Sequence, residues 1–145
     1  MPNQLVSLLP LVLALACGAQ SATPLAVTEY TLQQASDSIP LPYRTDIRVG
    51  EIWMTFTDVP SDSRCPIGVT CVWAGDAVAD LSVHPGCYKA GCKAASAALK
   101  LHTNLEPREG VALGHRVELL ALRPEPAAGT AVDSSRYVAW VRVTR

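Results

Sequence analysis

The sequence predicts an all-β protein: a small single-domain antiparallel β-sandwich or open barrel with two local disulfides. Short segments alternate apolar and polar residues with a period of two, as strands with one buried face do. Proline- and glycine-containing turns separate these segments at regular intervals. A parallel β/α architecture would need crossover helices, and few stretches show helical periodicity.

Six segments are predicted to be strands. In chain order they are residues 28–34, 47–59, 71–84, 97–102, 115–122 and 136–143. In the second strand, Met54 and Phe56 share one face and Trp53 takes the other. In the third, odd-numbered residues such as Leu81 and Val83 alternate with polar ones, and Gly75 is interpreted as a bulge. Residues 97–102 are rich in alanine, but their alternation favours a strand over a helix.

Loops are predicted where alternation stops. Residues 35–45 contain two prolines, and residues 104–114 contain a proline and two glycines. Residues 124–131 form a run rich in proline, alanine and glycine. These three stretches are therefore expected to connect strands.

The N-terminus has the features of an export signal. Residues 5–16 are apolar apart from Ser7, and twelve residues at 1.5 Å each are too short for a bilayer core of about 30 Å. Ala14 and Ala16 precede Cys17, a pattern typical of bacterial lipoproteins, in which the cysteine is acylated. Cleavage near Ala19 or Ala22 is the alternative, and the mature protein would then be soluble in the periplasm or secreted.

The predicted organisation has three parts. Residues 1–16 are a signal peptide, residues 17–27 a tether, and residues 28–145 the β-sandwich domain. The expected location is the bacterial cell envelope, with a lipid anchor on Cys17. A formal net charge of −1 argues against nucleic acid as a partner, because nucleic-acid binding needs a basic surface.

The cysteines support export. Of the five cysteines, Cys17 is the predicted site of acylation, and four remain. Four cysteines in an exported chain predict two disulfides with three possible connectivities. Local pairing of Cys65 with Cys71 and of Cys87 with Cys92 is favoured, because both pairs lie in loops with proline or glycine. Five residues separate Cys65 from Cys71, which is more than structural zinc sites prefer between paired cysteines.

No sequence pattern identifies a catalytic or cofactor site. The chain lacks Gly-x-Ser-x-Gly, His-Glu-x-x-His and a phosphate-binding glycine loop, and paired cysteines do not act as nucleophiles. Asp76, Asp80 and His84 would share one face of a helix, but on a strand residues four apart lie about 13 Å apart. They are interpreted as solvated surface. A non-enzymatic protein without metal or cofactor is predicted.

Other polar residues receive structural interpretations. Asp58 and Asp62 flank Pro60 and are expected to be turn residues. His102 and His115, with His84, fall at strand ends and are expected to belong to loops or turns. None of these residues is predicted to bind a metal or to transfer a proton.

Aromatic and basic residues are the candidates for binding. Trp53 and Trp140 lie opposite the more apolar face of their strands, so they form either an exposed aromatic surface or part of a core covered on both sides. Trp73 follows Cys71 on the same predicted face and is expected to enter the core and pack against the disulfide. Tyr88 and Lys89 belong to a basic hairpin tip between Cys87 and Cys92.

A resemblance to other proteins centres on residues 62–75, which are called the signature motif below. Ser-Arg-Cys-Pro-x3-Thr-Cys-Val-Trp-Ala-Gly resembles a segment of small uncharacterised bacterial exported proteins and lipoproteins. The similarity extends over roughly residues 46–145 and includes Leu-His-Thr-Asn at 101–104 and Leu-x-Pro-x-Pro at 122–126. The resemblance implies the fold and supplies no catalytic residues.

The resulting hypothesis is an exported, lipid-anchored β-sandwich that binds an envelope protein or a small ligand through its loops. One alternative is a protease inhibitor that presents the loop Arg64-Cys65-Pro66, in which a basic residue lies beside a rigid disulfide. Another alternative is a structural accessory module of an envelope assembly.

Overall fold

The computed structural model describes residues 29–30, 38–86 and 95–145, and this part of the chain is built from β-strands. In chain order they are β1 (Glu29–Tyr30), β2 (Ile39–Pro42), β3 (Asp46–Val49), β4 (Ile52–Asp62), β5 (Ala77–Pro85), β6 (Ala97–His102), β7 (Glu109–Ala112), β8 (His115–Arg123) and β9 (Val138–Thr144). A 3₁₀ turn, Ser134–Arg136, precedes β9. The described residues include no α-helix and no helix that could cross a membrane. The all-β prediction is confirmed.

The strands form two sheets that pack face to face as a sandwich. The first has the order β1-β3-β4-β5-β6 and the second the order β2-β9-β8-β7. All the pairings between these strands are antiparallel except that of β1 with β3. The sheets do not close into a barrel within the described residues.

The core lies between the two sheets and follows the alternation of the strands. Met54 and Phe56 of β4 are fully buried, as are Leu81 and Val83 of β5, and they pair as Met54↔Val83 and Phe56↔Leu81. Leu119 on β8 is among the residues of the second sheet that complete the same core. The period of two in the sequence therefore identifies the buried face of the central strands.

The prediction that residues 35–45 and 104–114 are loops is wrong, because each stretch contains a short strand. β2 lies within the first, and its residues Ile39 and Leu41 are fully buried while Pro40 and Pro42 are partly exposed. Proline is tolerated there because β2 is an edge strand whose one neighbour is β9. The second contains β7, another edge strand of four residues. Both strands are too short for alternation alone to distinguish them from loops.

Residues 47–59 were predicted as one strand and form two. Gly50, at φ 59°, turns the chain so that Val49 pairs with Ile52, and β3 and β4 form a hairpin. The last strand begins at Val138 instead of residue 136, because the 3₁₀ turn occupies the preceding residues. The strand at Ala97–His102 is confirmed.

One end of the sandwich carries residues 63–76, hereafter the signature loop, between β4 and β5. The end of β8 lies beside it, since Arg64 reaches the carbonyl oxygen of Leu122. The other end carries the tight β3–β4 and β7–β8 hairpins.

Candidate functional site

Backbone hydrogen bonds hold the two arms of the signature loop together. The Ser63 N–H donates to Asp76 O at 2.7 Å, and the Cys65 N–H donates to Ala74 O at 2.8 Å. Gly75 lies at φ +69°, and a Cβ there would be 1.9 Å from Ser63 O. Only glycine fits this close approach of the arms. Gly75 thus shapes the loop and is not the predicted bulge in a strand.

A disulfide closes the loop. Cys65 and Cys71 are bonded, with their Cα atoms 6.0 Å apart, so this predicted pairing is confirmed. The Ile67 N–H donates to Pro126 O at 2.9 Å, which attaches the loop to the β8–β9 connection. The predicted Cys87–Cys92 bond lies outside the described residues, and so do Cys17, Tyr88 and Lys89.

Arg64 clamps the loop to both sheets. Its Nε and Nη2 donate to the two carboxylate oxygens of Asp62 at 2.9 and 2.6 Å. Nη1 donates to Leu122 O at 2.5 Å and Nη2 to Pro124 O at 2.9 Å. The side chain is 10% exposed, and the bidentate pair is a strong form of charge-assisted hydrogen bond. Arg64 is therefore a structural clamp and is not presented to solvent.

Asp62 also accepts a hydrogen bond from the residue that precedes β9 of the second sheet. The Tyr137 hydroxyl donates to Asp62 Oδ2 at 2.8 Å. Burial raises the pKa of Asp62, but hydrogen bonds from Arg64 and Tyr137 outweigh it, and the pKa lies below its ordinary value. Burial and the bond to Asp62 raise the pKa of Tyr137 to about 12. Asp62 was predicted as a turn residue; instead it ends β4 and joins the sheets.

Asp76 fastens the opposite side of the loop to the turn that follows β6. Its Oδ1 accepts from Thr103 Oγ1 at 3.1 Å and from the Asn104 N–H at 2.9 Å, and its Oδ2 lies 2.6 Å from His102 Nδ1. Burial raises the pKa of Asp76, but these bonds and the Leu105 N–H together lower it below its ordinary value. Asp76 is therefore a structural carboxylate. The sequence had predicted that it belongs to the solvated surface, and that prediction is wrong.

The tip of the loop, defined as Ile67, Val69, Val72 and Trp73, is apolar and faces solvent. Val72 is 89% exposed and Trp73 is 81% exposed. The prediction that Trp73 packs in the core is wrong. β5 begins only at Ala77, and the positive φ of Gly75 breaks the alternation that would have placed Trp73 on the buried face.

Two shallow grooves lie along the signature loop, and the first of them reaches the tip. One, of about 400 Å³, runs between Trp73 and Leu105. Its polar side chains already have partners. Ser63 Oγ and Asp76 form hydrogen bonds within the base of the loop, defined as residues 62–64 and Asp76, and Asn104 Nδ2 donates to Gly75 O at 2.7 Å. The other, of about 410 Å³, lies between Arg64, Arg108 and β8. The groove beside Trp73 offers apolar contact more than hydrogen bonding.

The remaining tryptophans do not form a shared surface. Trp53 is 8% exposed and Trp140 is partly exposed. Each projects away from the core, Trp53 on the first sheet and Trp140 on the second, since their strand neighbours Met54 and Ala139 belong to the core cluster. The two rings therefore lie on opposite outer faces of the sandwich.

The other polar candidates are dispersed. Asp80 pairs with Lys100 at 2.7 Å on the outer face of the first sheet, and Asp58 is exposed and accepts a hydrogen bond from Tyr43. His115 is buried in the β7–β8 hairpin, where its Nδ1 lies 3.0 Å from Leu113 O. Across the described ranges, no three His, Cys, Asp or Glu residues form a metal-binding group.

Sequence reasoning found the loop but missed the functions of its parts. The Asp-x-Arg pair at 62 and 64 was a possible signal for the clamp, because a carboxylate two residues from an arginine at a strand end can form a local ion pair. The absence of charge from residues 65–75 was a signal for the exposed tip. No protein-family model, no curated protein and no solved structure matches the chain.

Proposed function

We propose that the protein is an exported, lipid-anchored, non-enzymatic β-sandwich that binds an envelope component through the tip of the signature loop. The exposure of Trp73 beside Val72 carries this proposal. Soluble domains bury most large aromatic side chains, and tryptophan is enriched among the residues that dominate binding energy. Loops on a rigid sheet are also the usual place for binding residues.

The loop is organised before it meets a partner. The Cys65–Cys71 bond, the Arg64 clamp and the Asp76 hydrogen bonds restrain it at three places. Restraint of this kind lowers the conformational entropy lost on binding. The exposure of the tip is thus a built feature of the fold, and this supports a contact function.

A non-enzymatic role is supported by how the polar groups around the tip are used. Asp62, Arg64 and Asp76 hold the loop, and His102 bonds to Asp76. The inhibitor alternative has less support, because a protease could engage the Arg64 side chain only after its bonds to Asp62 and Leu122 were broken.

The test is photo-crosslinking in the producing cell. A benzophenone amino acid placed at position 72 should form adducts with an envelope protein or lipid. The matched control places it at position 111, since Val111 is also apolar and 66% exposed but lies on the β7–β8 hairpin at the other end. Equal or weaker adduct formation at position 72 would contradict the proposal, and the mass of the adduct would separate a ligand from an assembly partner.

The anchoring part of the proposal rests on Cys17 and the apolar segment before it. Cells grown with labelled palmitate should label the protein, and Cys17→Ser should abolish the label. If the mature protein is soluble and unlabelled, it is a secreted protein and not a lipid-anchored one. The proposal that the tip binds an envelope component would still stand.

A further inference from the structure

The signature loop carries no charge of its own between the two ends of its arms. Residues 65–75 contain no charged side chain, and the first charges on either side are Arg64 and Asp76 at the base. Both have close partners there: Arg64 is paired with Asp62, and Asp76 lies against His102. The loop therefore presents an uncharged apolar end, and the charged residues on either side of it in sequence already have hydrogen-bond partners.

The apolar side chains of the tip do not by themselves supply the area of an ordinary protein interface. Its four apolar side chains together expose on the order of 500 Å², given roughly 200 Å² for a tryptophan. A stable protein–protein interface buries about 800 Å² on each partner. A lipid bilayer imposes no such minimum, because it needs no complementary shape from the protein.

The chemistry of the tip fits the interfacial layer of a bilayer. Tryptophan is enriched at that depth, where one part of its ring meets apolar and another part polar surroundings. The aliphatic side chains of Ile67 and Val72 suit the acyl chains, while charged groups are costly below the headgroups. The charges of Arg64 and Asp76 lie where such a cost would set the depth of insertion.

We propose that the tip inserts into the interfacial layer of a lipid bilayer, with Trp73 and Val72 below the headgroups. This inference rests on the proposed function and names the envelope component as lipid. Insertion is shallow, because unpaired backbone groups of a loop are poorly tolerated in the hydrocarbon region.

The predicted tether is compatible with this contact. Cys17 and Glu29 are twelve residue steps apart (29 − 17), which span at most about 40 Å. β4, with 11 residues, extends over about 36 Å. An acyl chain on Cys17 would thus keep the domain within about one domain length of the membrane and raise the local concentration of bilayer around the tip.

The test uses the mature full chain, as the producing cell processes it, with vesicles of phosphatidylethanolamine and phosphatidylglycerol. Some of the lipids carry bromine on their acyl chains and quench tryptophan fluorescence on contact. Trp73→Phe isolates the signal of Trp73 from those of Trp53 and Trp140. We expect quenching in the wild type that Trp73→Phe removes.

Two matched variants decide the site of contact. Val72→Asp places a charge on the tip and should reduce the quenching of Trp73 at least about threefold, because an aspartate strongly disfavours insertion. Val111→Asp places the same charge on the other end and should leave quenching unchanged. Equal quenching in the two variants, or no quenching that depends on Trp73, would overturn the inference.

Crosslinking and quenching together distinguish insertion into a bilayer from binding to another envelope component. A protein adduct at position 72 without quenching of Trp73 would leave the binding function standing and remove the bilayer as its target. Neither adduct nor quenching would remove both.

Discussion

The base and the tip of the signature loop reverse the usual relation between polarity and burial. At the base, the charged side chains of Asp62 and Arg64 are about nine-tenths buried and joined by a bidentate pair. At the tip, the apolar side chains of Val72 and Trp73 stand in solvent. The charged side chains of the base need hydrogen-bond partners and have them within the fold. The apolar side chains of the tip would be buried only if they bound something else.

Neighbouring residues of the signature motif are expected to have different roles. Buried charges are tolerated only when they are paired and hydrogen-bonded, so the base residues are expected to govern stability. Exposed apolar residues make few contacts in the folded state, so the tip residues are expected to govern binding. Substitutions in the two regions should therefore separate the two properties.

The largest effect is expected at Gly75. Gly75→Ala would combine a strained φ of +69° with a Cβ 1.9 Å from Ser63 O, and we expect a loss of at least about 3 kcal/mol in the free energy of unfolding. Gly68→Ala is the matched control, because Gly68 lies at φ +81° with nothing within 4 Å and should cost only about 1–2 kcal/mol. Equal losses in urea denaturation would show that the arms can separate.

Removal of the clamp should have the next largest effect. Arg64→Ala leaves the Asp62 carboxylate buried without its main partner, and we expect a loss of about 3 kcal/mol. Arg123→Ala removes an exposed ion pair with Glu125 and should cost less than about 1 kcal/mol. If the two variants unfold at the same urea concentration, Arg64 is not the clamp described above.

A smaller effect, dependent on pH, is expected at Asp76. The pKa of folded Asp76 lies below that of an unfolded aspartate, about 3.9, so folding favours the deprotonated form. Its stabilisation is complete well above that value and is lost as the pH falls through about 4 towards the folded pKa. Asp76→Asn should cost about 1–2 kcal/mol at pH 7 and flatten this acid loss.

The Asp76 prediction is checked by urea denaturation from about pH 7, where the stabilisation is complete, down to about pH 2, below the unfolded pKa of about 3.9. Asp80→Asn removes a negative charge from an exposed pair with Lys100 and controls for net charge. An Asp76→Asn protein with the same pH dependence as the wild type would mean that other carboxylates hold the turn after β6.

Sequence alone predicted the longer strands well and the short edge strands poorly. β5 and β6 alternate over six to nine residues, which is long enough to identify a buried face. β2 and β7 have four residues each, and β2 contains two prolines that argue against a strand unless its edge position is known. Edge position depends on tertiary pairing, and no local pattern reports it.

The same limit applies to the signature loop. The cysteine spacing predicted the Cys65–Cys71 bond, because that pairing is local. The clamp of Arg64 on Leu122 and the bonds of Asp76 to Asn104 join residues far apart in sequence. The position of Trp73 depends on the backbone of Gly75, whose close contact with Ser63 exists only in the folded loop.

The central claim is that the base builds the domain and the tip contacts a partner, and Trp73→Ala tests it most directly. The free energy of unfolding of this variant, measured by urea denaturation, should lie within about 0.5 kcal/mol of the wild type, because the indole is 81% exposed. A loss of about 3–5 kcal/mol, as for a buried tryptophan, would place the ring in the core and contradict the account.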